Sequence, residues 1–216
     1  MPPDTLRRWI RQGRMPVKWK GDKCIFSTRM IKSWAADNHL KFTLPGDTKA
    51  DNDDLLSSSL VTAMETGGVH YGLSGDTVAG VLHEAVARIG DIIGESAKPA
   101  LIKSLLEREE MMSTGIGHGV AVPHPRKPLA GIDAPPLIAT CFLQTPVDFD
   151  AIDHKPVHVM FLLVAPDSRS HLYLLSRTSY CIRDVEFRGL LASVPDKKMF
   201  IEKVGEIETL FGKSHA

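Results

Sequence analysis

The run Val157–Val164, VHVMFLLV, constrains the fold more than any other part of the chain. A strand with one wet face alternates apolar and polar residues. A run broken only by His158 belongs to a strand buried on both faces. Other segments offer the elements to cover such a strand. Ser74 or Asp76 is placed to cap a helix carrying Val78, Val81, Leu82, Val86, Ile89 and Ile93 on one face. A second helical pattern holds Ile102, Leu105 and Leu106. Gly119–Val122 and Leu137–Leu143 read as further strands. Ser168 or Ser170 opens a helix with His171, Leu172 and Leu175. Two more helical stretches follow, one with Phe187, Leu190 and Leu191, the other with Phe200, Val204, Ile207 and Leu210. Helices mixed with a few strands define an α/β sandwich.

The formal charge of the 216 residues is zero, but it is unevenly divided. Residues 1–42 carry ten Lys and Arg against three Asp and Glu, a balance of +7, which leaves −7 on the rest. Such asymmetry separates parts with different partners, and a basic part of this size suits nucleic acid. Between the two parts, TLPGDTKADNDDLLS at 43–57 breaks the apolar periodicity with Pro, Gly and four Asp, as an exposed linker does. The expected organisation is therefore a basic module at 1–42, an acidic linker at 43–57 and a domain at 58–216. No apolar run approaches the roughly 20 residues that span a bilayer, and the Arg-rich start has no apolar stretch behind it. Cys24, Cys141 and Cys181 form no CxxC pair. The expected location is the reducing cytoplasm, without membrane insertion.

The densest group of unusual residues runs from Ser113 to Arg126. Gly115, Gly117 and Gly119 alternate with larger residues, so the backbone there can turn tightly and offer N–H groups to an anion. Val120–Val122 reads as strand, and Pro123 removes a donor just before His124. A histidine at a strand end beside a glycine-rich loop, with Arg126 two residues on, is placed to meet a phosphate. Spacing alone favours a plain turn and an ordinary surface histidine, because GxGxG is a weak signal. By the same measure Arg108 pairs with Glu107 or Glu110 on a solvated helix face, while for His171, near a helix start, a plain surface residue and a site residue are equally open. His154 and His158 stand four apart without an HExxH pattern, so no metal or other cofactor is expected.

The segment Ser113–His124, STGIGHGVAVPH, resembles the signature of the enzyme IIA domain of the fructose/mannitol type, which includes the nitrogen-regulatory members of the bacterial phosphoenolpyruvate:sugar phosphotransferase system. The resemblance extends over roughly residues 58–211. It includes Leu106–Glu110, Val147–Asp153, Val157–Val164 with Ala165-Pro166, and His171-Leu172 with Leu174-Leu175. It implies a small mixed β-sheet flanked by helices. It also implies that His124 is phosphorylated, on Nε2 in that family, that His171 is a second active-site histidine, that Arg108 lies nearby, and that Thr114 belongs to the adjoining loop. His118 departs from the family, where a small polar residue such as Asn is common. The implied donor is a histidine phosphocarrier protein, and the implied acceptor is a regulated target or a IIB protein. With no transport domain attached, regulation is expected over dedicated sugar uptake. A neutral imidazole is nucleophilic near pH 7 and forms a labile P–N bond, so the chemistry needs alignment and charge neutralisation but no metal.

Residues 4–16, DTLRRWIRQGRMP, give a short helix with Leu6, Trp9 and Ile10 on one face and Arg8, Arg11 and Arg14 on another. A hairpin over Val17–Ser27 and a helix near Thr28–Asn38 complete the module. It is similar to excisionase-like and MerR-like winged helix-turn-helix domains, which implies DNA contacts through Arg7, Arg8, Arg11 and Arg14. Those families place another helix ahead of the turn that begins here with Met1-Pro2-Pro3. The expectation is an upstream start or a degraded module.

Overall fold

The computed structural model describes residues 18–20 and 23–25 as backbone, and residues 59–127 and 134–214, with side chains to 211. The chain divides into two units, Met1–Asp54 and Leu55–Ala216. In the first, β1 (Lys18–Lys20) pairs antiparallel with β2 (Lys23–Ile25), matching the hairpin expected from the sequence. The two helices expected beside it, and Arg7, Arg8, Arg11 and Arg14, lie outside the described residues.

The second unit is a mixed α/β fold. Its elements are α1 (Leu60–Gly67), β3 (Val69–Leu73), α2 (Val78–Arg88), α3 (Gly90–Ile93), a 3-10 turn (Glu95–Ala97), α4 (Lys98–Met111), β4 (Gly115–Gly117), β5 (Val120–Ala121), β6 (Leu137–Val147), β7 (Val157–Val164), α5 (Ser168–Arg183), α6 (Val185–Ala192) and α7 (Lys197–Ser214). The strands form one sheet in the order β3-β6-β7-β5-β4. β6 lies antiparallel to β7 and parallel to β3, while β7 lies parallel to β5.

β7 sits at the centre of this sheet, as its apolar run requires. Met160, Leu162 and Val164 face a core built with Val81, Leu82, Val86, Leu101 and Leu105 of α2 and α4. Val159, Phe161 and Leu163 face the opposite core, with Leu60, Met64, Leu174, Phe187, Phe200 and Val204 of α1, α5, α6 and α7. Two buried faces leave no position for a polar residue until the strand's edge, where His158 stands half-buried.

The helix starts show why they begin where they do. Thr77, not Ser74 or Asp76, caps α2, its hydroxyl accepting from the Gly80 N–H at 3.1 Å. Asp167 caps α5 by accepting from the N–H groups of Arg169 and Ser170. Helical faces are also narrower than apolar spacing suggests. Leu172 and Leu210 are 65% and 58% exposed, so neither belongs to the core. α1 and β3 are elements that the sequence pattern did not announce.

Candidate functional site

The sheet and α5 bring His124 and His171 together from 47 positions apart. Their ring centroids lie 5.2 Å apart with planes at 61°, an edge-to-face contact. His171 occupies the first turn of α5, where its N–H donates to the Asp167 carbonyl, and is 9% exposed. His124 follows β5. The Pro123 carbonyl accepts from the Leu163 N–H of β7 at 2.9 Å, anchoring the chain one residue before the ring.

A hydrogen bond settles which imidazole nitrogen is available. Nδ1 of His124 lies 2.8 Å from the Val122 carbonyl oxygen. A carbonyl can only accept, so Nδ1 carries the proton and Nε2 keeps its lone pair. Burial holds the His124 pKa below the ordinary histidine value; the Val122 bond opposes this and the Arg108 charge adds to it. His171 is lowered by burial and by the neighbouring His124. Both rings are therefore neutral at pH 7.

Arg108 lies in the last turn of α4, close enough for its charge to act on His124. It does not pair with Glu107, which faces Lys103 at 3.8 Å. Its Nη1 donates to the Met112 carbonyl at 2.7 Å. Thr114 is buried beside β4, and its N–H and hydroxyl both donate to the Glu109 carboxylate, at 2.9 and 2.6 Å. Nothing in the sequence singles out Glu109. A carboxylate at a helix end, followed five residues later by a threonine, is the only local signal for it.

The glycines separate into two groups. Gly115 pairs with Ala121 at the end of the β4–β5 hairpin that leads to His124. Gly117 and Gly119 lie at the closed end, around His118, and the fold does not bring them to His124. Gly119 adopts φ 73°, and a Cβ there would lie 2.2 Å from Nδ1 of His158, so the position admits no side chain. His118 is itself left-handed, at φ 57°, with its N–H donating to Asp153 at 2.8 Å. Among the described residues no group of His, Cys, Asp and Glu converges as metal ligands, and no helix is long and apolar enough to cross a membrane.

The lowered pKa values have a consequence for stability. His124, His158 and His171 are all pushed down chiefly by burial. The unfolded chain protonates these rings near pH 6.5 while the native chain resists, so stability present above about pH 6.5 is lost as pH falls below it. The thermal midpoint should be lower at about pH 5.5 than at about pH 7.5, within the range where carboxylates have not yet begun to titrate. Equal midpoints would mean that the three rings titrate as free histidines.

The domain that carries this site is similar to known proteins. The family model described as phosphoenolpyruvate-dependent sugar phosphotransferase system, EIIA 2, matches residues 76–206. A nitrogen regulatory protein of Pseudomonas aeruginosa is 32% identical over 130 residues, covering 59% of this chain and 82% of that protein. A nitrogen regulatory protein of Escherichia coli K12 is 35% identical over 103 residues, covering 46% and 62%. The crystal structure of nitrogen regulatory protein IIA-Ntr from Neisseria meningitidis superposes with a TM-score of 0.59 at 24% identity, covering 67% of this chain and 98% of that one.

Proposed function

Since the chain belongs to the EIIA 2 family of the phosphoenolpyruvate-dependent sugar phosphotransferase system, we propose that His124 is the residue on which it carries a phosphoryl group. Its role is that of a phosphohistidine carrier and regulator, in the manner of the nitrogen regulatory proteins it resembles. The observation that carries the assignment to His124 is the Nδ1–H···O=C bond to Val122, which leaves Nε2 as a fixed nucleophile.

The donor in this reading is a phosphohistidine on a histidine phosphocarrier protein. Nε2 of His124 attacks phosphorus, the donor's P–N bond breaks, and the electron pair returns to the donor imidazole. The product is a phospho-imidazolium whose Nδ1–H remains on the Val122 carbonyl, so no proton moves. Arg108 neutralises charge on the phosphoryl oxygens and the neutral His171 offers them its ring N–H, which is the main work in transfers of this kind. No cofactor takes part. Phosphoenolpyruvate and the upstream phosphotransferase proteins should place one acid-labile phosphate on the chain. Onward delivery to a sugar-specific IIB protein would indicate transport; its absence, with binding to a regulated target that depends on phosphorylation, would indicate signalling.

A second reading concerns residues 1–42. The +7 balance and the β1–β2 hairpin favour a DNA-binding module of the winged kind. Phosphorylation of the following domain at 58–216 would then act as a signal to it. A gel shift with duplex DNA should weaken with salt and with Arg8→Ala or Arg11→Ala. A chain extended upstream that binds no DNA would end this reading.

A further inference from the structure

Thr114 sits in the loop beside His124, and both of its polar hydrogens are already engaged. Glu109 takes them. Oε1 accepts the Thr114 N–H at 2.9 Å and Oε2 accepts its hydroxyl at 2.6 Å. The Thr114 carbonyl in turn accepts the Val122 N–H at 3.0 Å. Val122 then presents its carbonyl to Nδ1 of His124 at 2.8 Å. Three consecutive links thus join a helix-end carboxylate to the imidazole whose tautomer decides whether it can attack.

We propose that Glu109 is a positioning residue for phosphoryl acceptance, acting on His124 through Thr114 and Val122. This rests on the reading of His124 as the acceptor. The physical case has two parts. Thr114 is 4% exposed, so its donors cannot turn to water, and a carboxylate that accepts two of them at once fixes both the loop and its own rotamer. Glu109 is also the neighbour of Arg108 in the last turn of α4. Tying α4 to the strand that carries His124 therefore sets the distance between the cation and the nucleophile. Ser113 fastens the same loop from the other side. Its hydroxyl donates to the Phe149 carbonyl and accepts the Gly115 N–H at 2.9 Å. That anchor reaches neither α4 nor Val122, so it cannot replace the link through Glu109.

The test uses the full chain and two readouts. The first is the tautomer of His124, read from imidazole nitrogen shifts by NMR, which needs no phosphate donor. The second is the rate of labelling from the phosphorylated carrier protein. The wild type should show the Nδ1–H form. Glu109→Ala should show a mixture of tautomers and a rate lower by about tenfold to a hundredfold, the usual effect of losing an outer-shell partner. Glu109→Gln should recover most of the rate, because the amide keeps an acceptor for the N–H and offers a donor to the hydroxyl. A rate that stays low with Gln would overturn a purely positional role. If Glu109→Ala fails to fold, Thr114→Val removes only the Oγ1 link and should give a smaller loss in the same direction. Wild-type tautomer and rate in every variant that folds would overturn the proposal. Labelling of the wild type at a residue other than His124 would instead overturn the acceptor assignment, while the tautomer readout still judges the relay.

Discussion

Replacing His124 by alanine is expected to reduce acid-labile phosphate on the chain to background, the largest effect of any single change in this molecule. The expectation follows from the surroundings of the ring. His171 is a neighbouring imidazole, but it is buried and faces His124 edge-on, with its ring centroid 5.2 Å away. His118 lies at the closed end of the β4–β5 hairpin. Residues 120–123 separate that end from His124 and run extended along β7, roughly 13 Å at about 3.3 Å per residue. Neither can take over the transfer, because a displacement of about 1 Å already costs heavily in such reactions. The loss should be chemical rather than structural. His124 gives up a single hydrogen bond, to the Val122 carbonyl, worth about 1 kcal/mol. Matched circular dichroism and thermal midpoints, with labelling followed in acid and alkali, would make the comparison. Full labelling of His124→Ala would sink the assignment.

How far the site could be read from the sequence depended on the range of each interaction. β7 was legible because burial on both faces suppresses polar residues, and that suppression is local. The helices α2, α5, α6 and α7 were legible through their apolar spacing. α1 and β3 were not. α1 has only eight residues and ends at Gly67-Gly68, which reads as a chain break. β3 is an edge strand whose pattern is irregular, with a register shift between His70 and Leu73 and exposure at Tyr71 and Gly72. The α2 and α5 caps each fall one residue from an expected position. Ser74, Asp76 and Thr77 are all good N-caps, and only the backbone decides among them.

The site itself shows a sharper limit. No local pattern joins His124 to His171, and spacing alone favoured neither as a site residue. Their meeting depends on β5 lying against β7 and on α5 returning over the sheet. The resemblance to the enzyme IIA family pointed to both histidines, and the fold sets them 5.2 Å apart. Glu109 escaped for another reason. In the run Glu107-Arg108-Glu109-Glu110 it looks like one more charge on a wet helix. Only the extended backbone at Met112 (φ −173°), which turns the chain back beneath α4, brings Thr114 to its carboxylate. Gly119 answers to a constraint of the same long-range kind, since a Cβ there would lie 2.2 Å from Nδ1 of His158.

Gly67→Ala should destabilise the domain more than any other single methyl added among the described helices. A Cβ at Gly67 would lie 2.3 Å from the carbonyl carbon of Ile138, 2.4 Å from its oxygen and 2.6 Å from the Ala139 nitrogen. These atoms belong to the backbone of β6, which is held between β3 and β7 and cannot yield as a flexible side chain would. α1 must therefore lift off the sheet, opening the core around Leu60 and Met64. The next residue adds a constraint. Gly68 has φ 80°, and its carbonyl accepts the Thr140 N–H at 2.9 Å, so the chain cannot slide along β6 to make room. Overpacking costs about 1–3 kcal/mol where neighbours can adjust; here the loss should reach ~3 kcal/mol or more. Gly189 provides the control within the same fold. It lies exposed in α6, and a methyl added there would meet nothing within 4 Å, so Gly189→Ala should stabilise by about 0.5–1 kcal/mol through helix propensity. The same chemical change would then act with opposite sign in two helices, and denaturant midpoints for the two variants measure both. If Gly67→Ala unfolds at the wild-type midpoint, α1 is not seated against β6, and the face of the sheet that also supports α5 and His171 is packed differently.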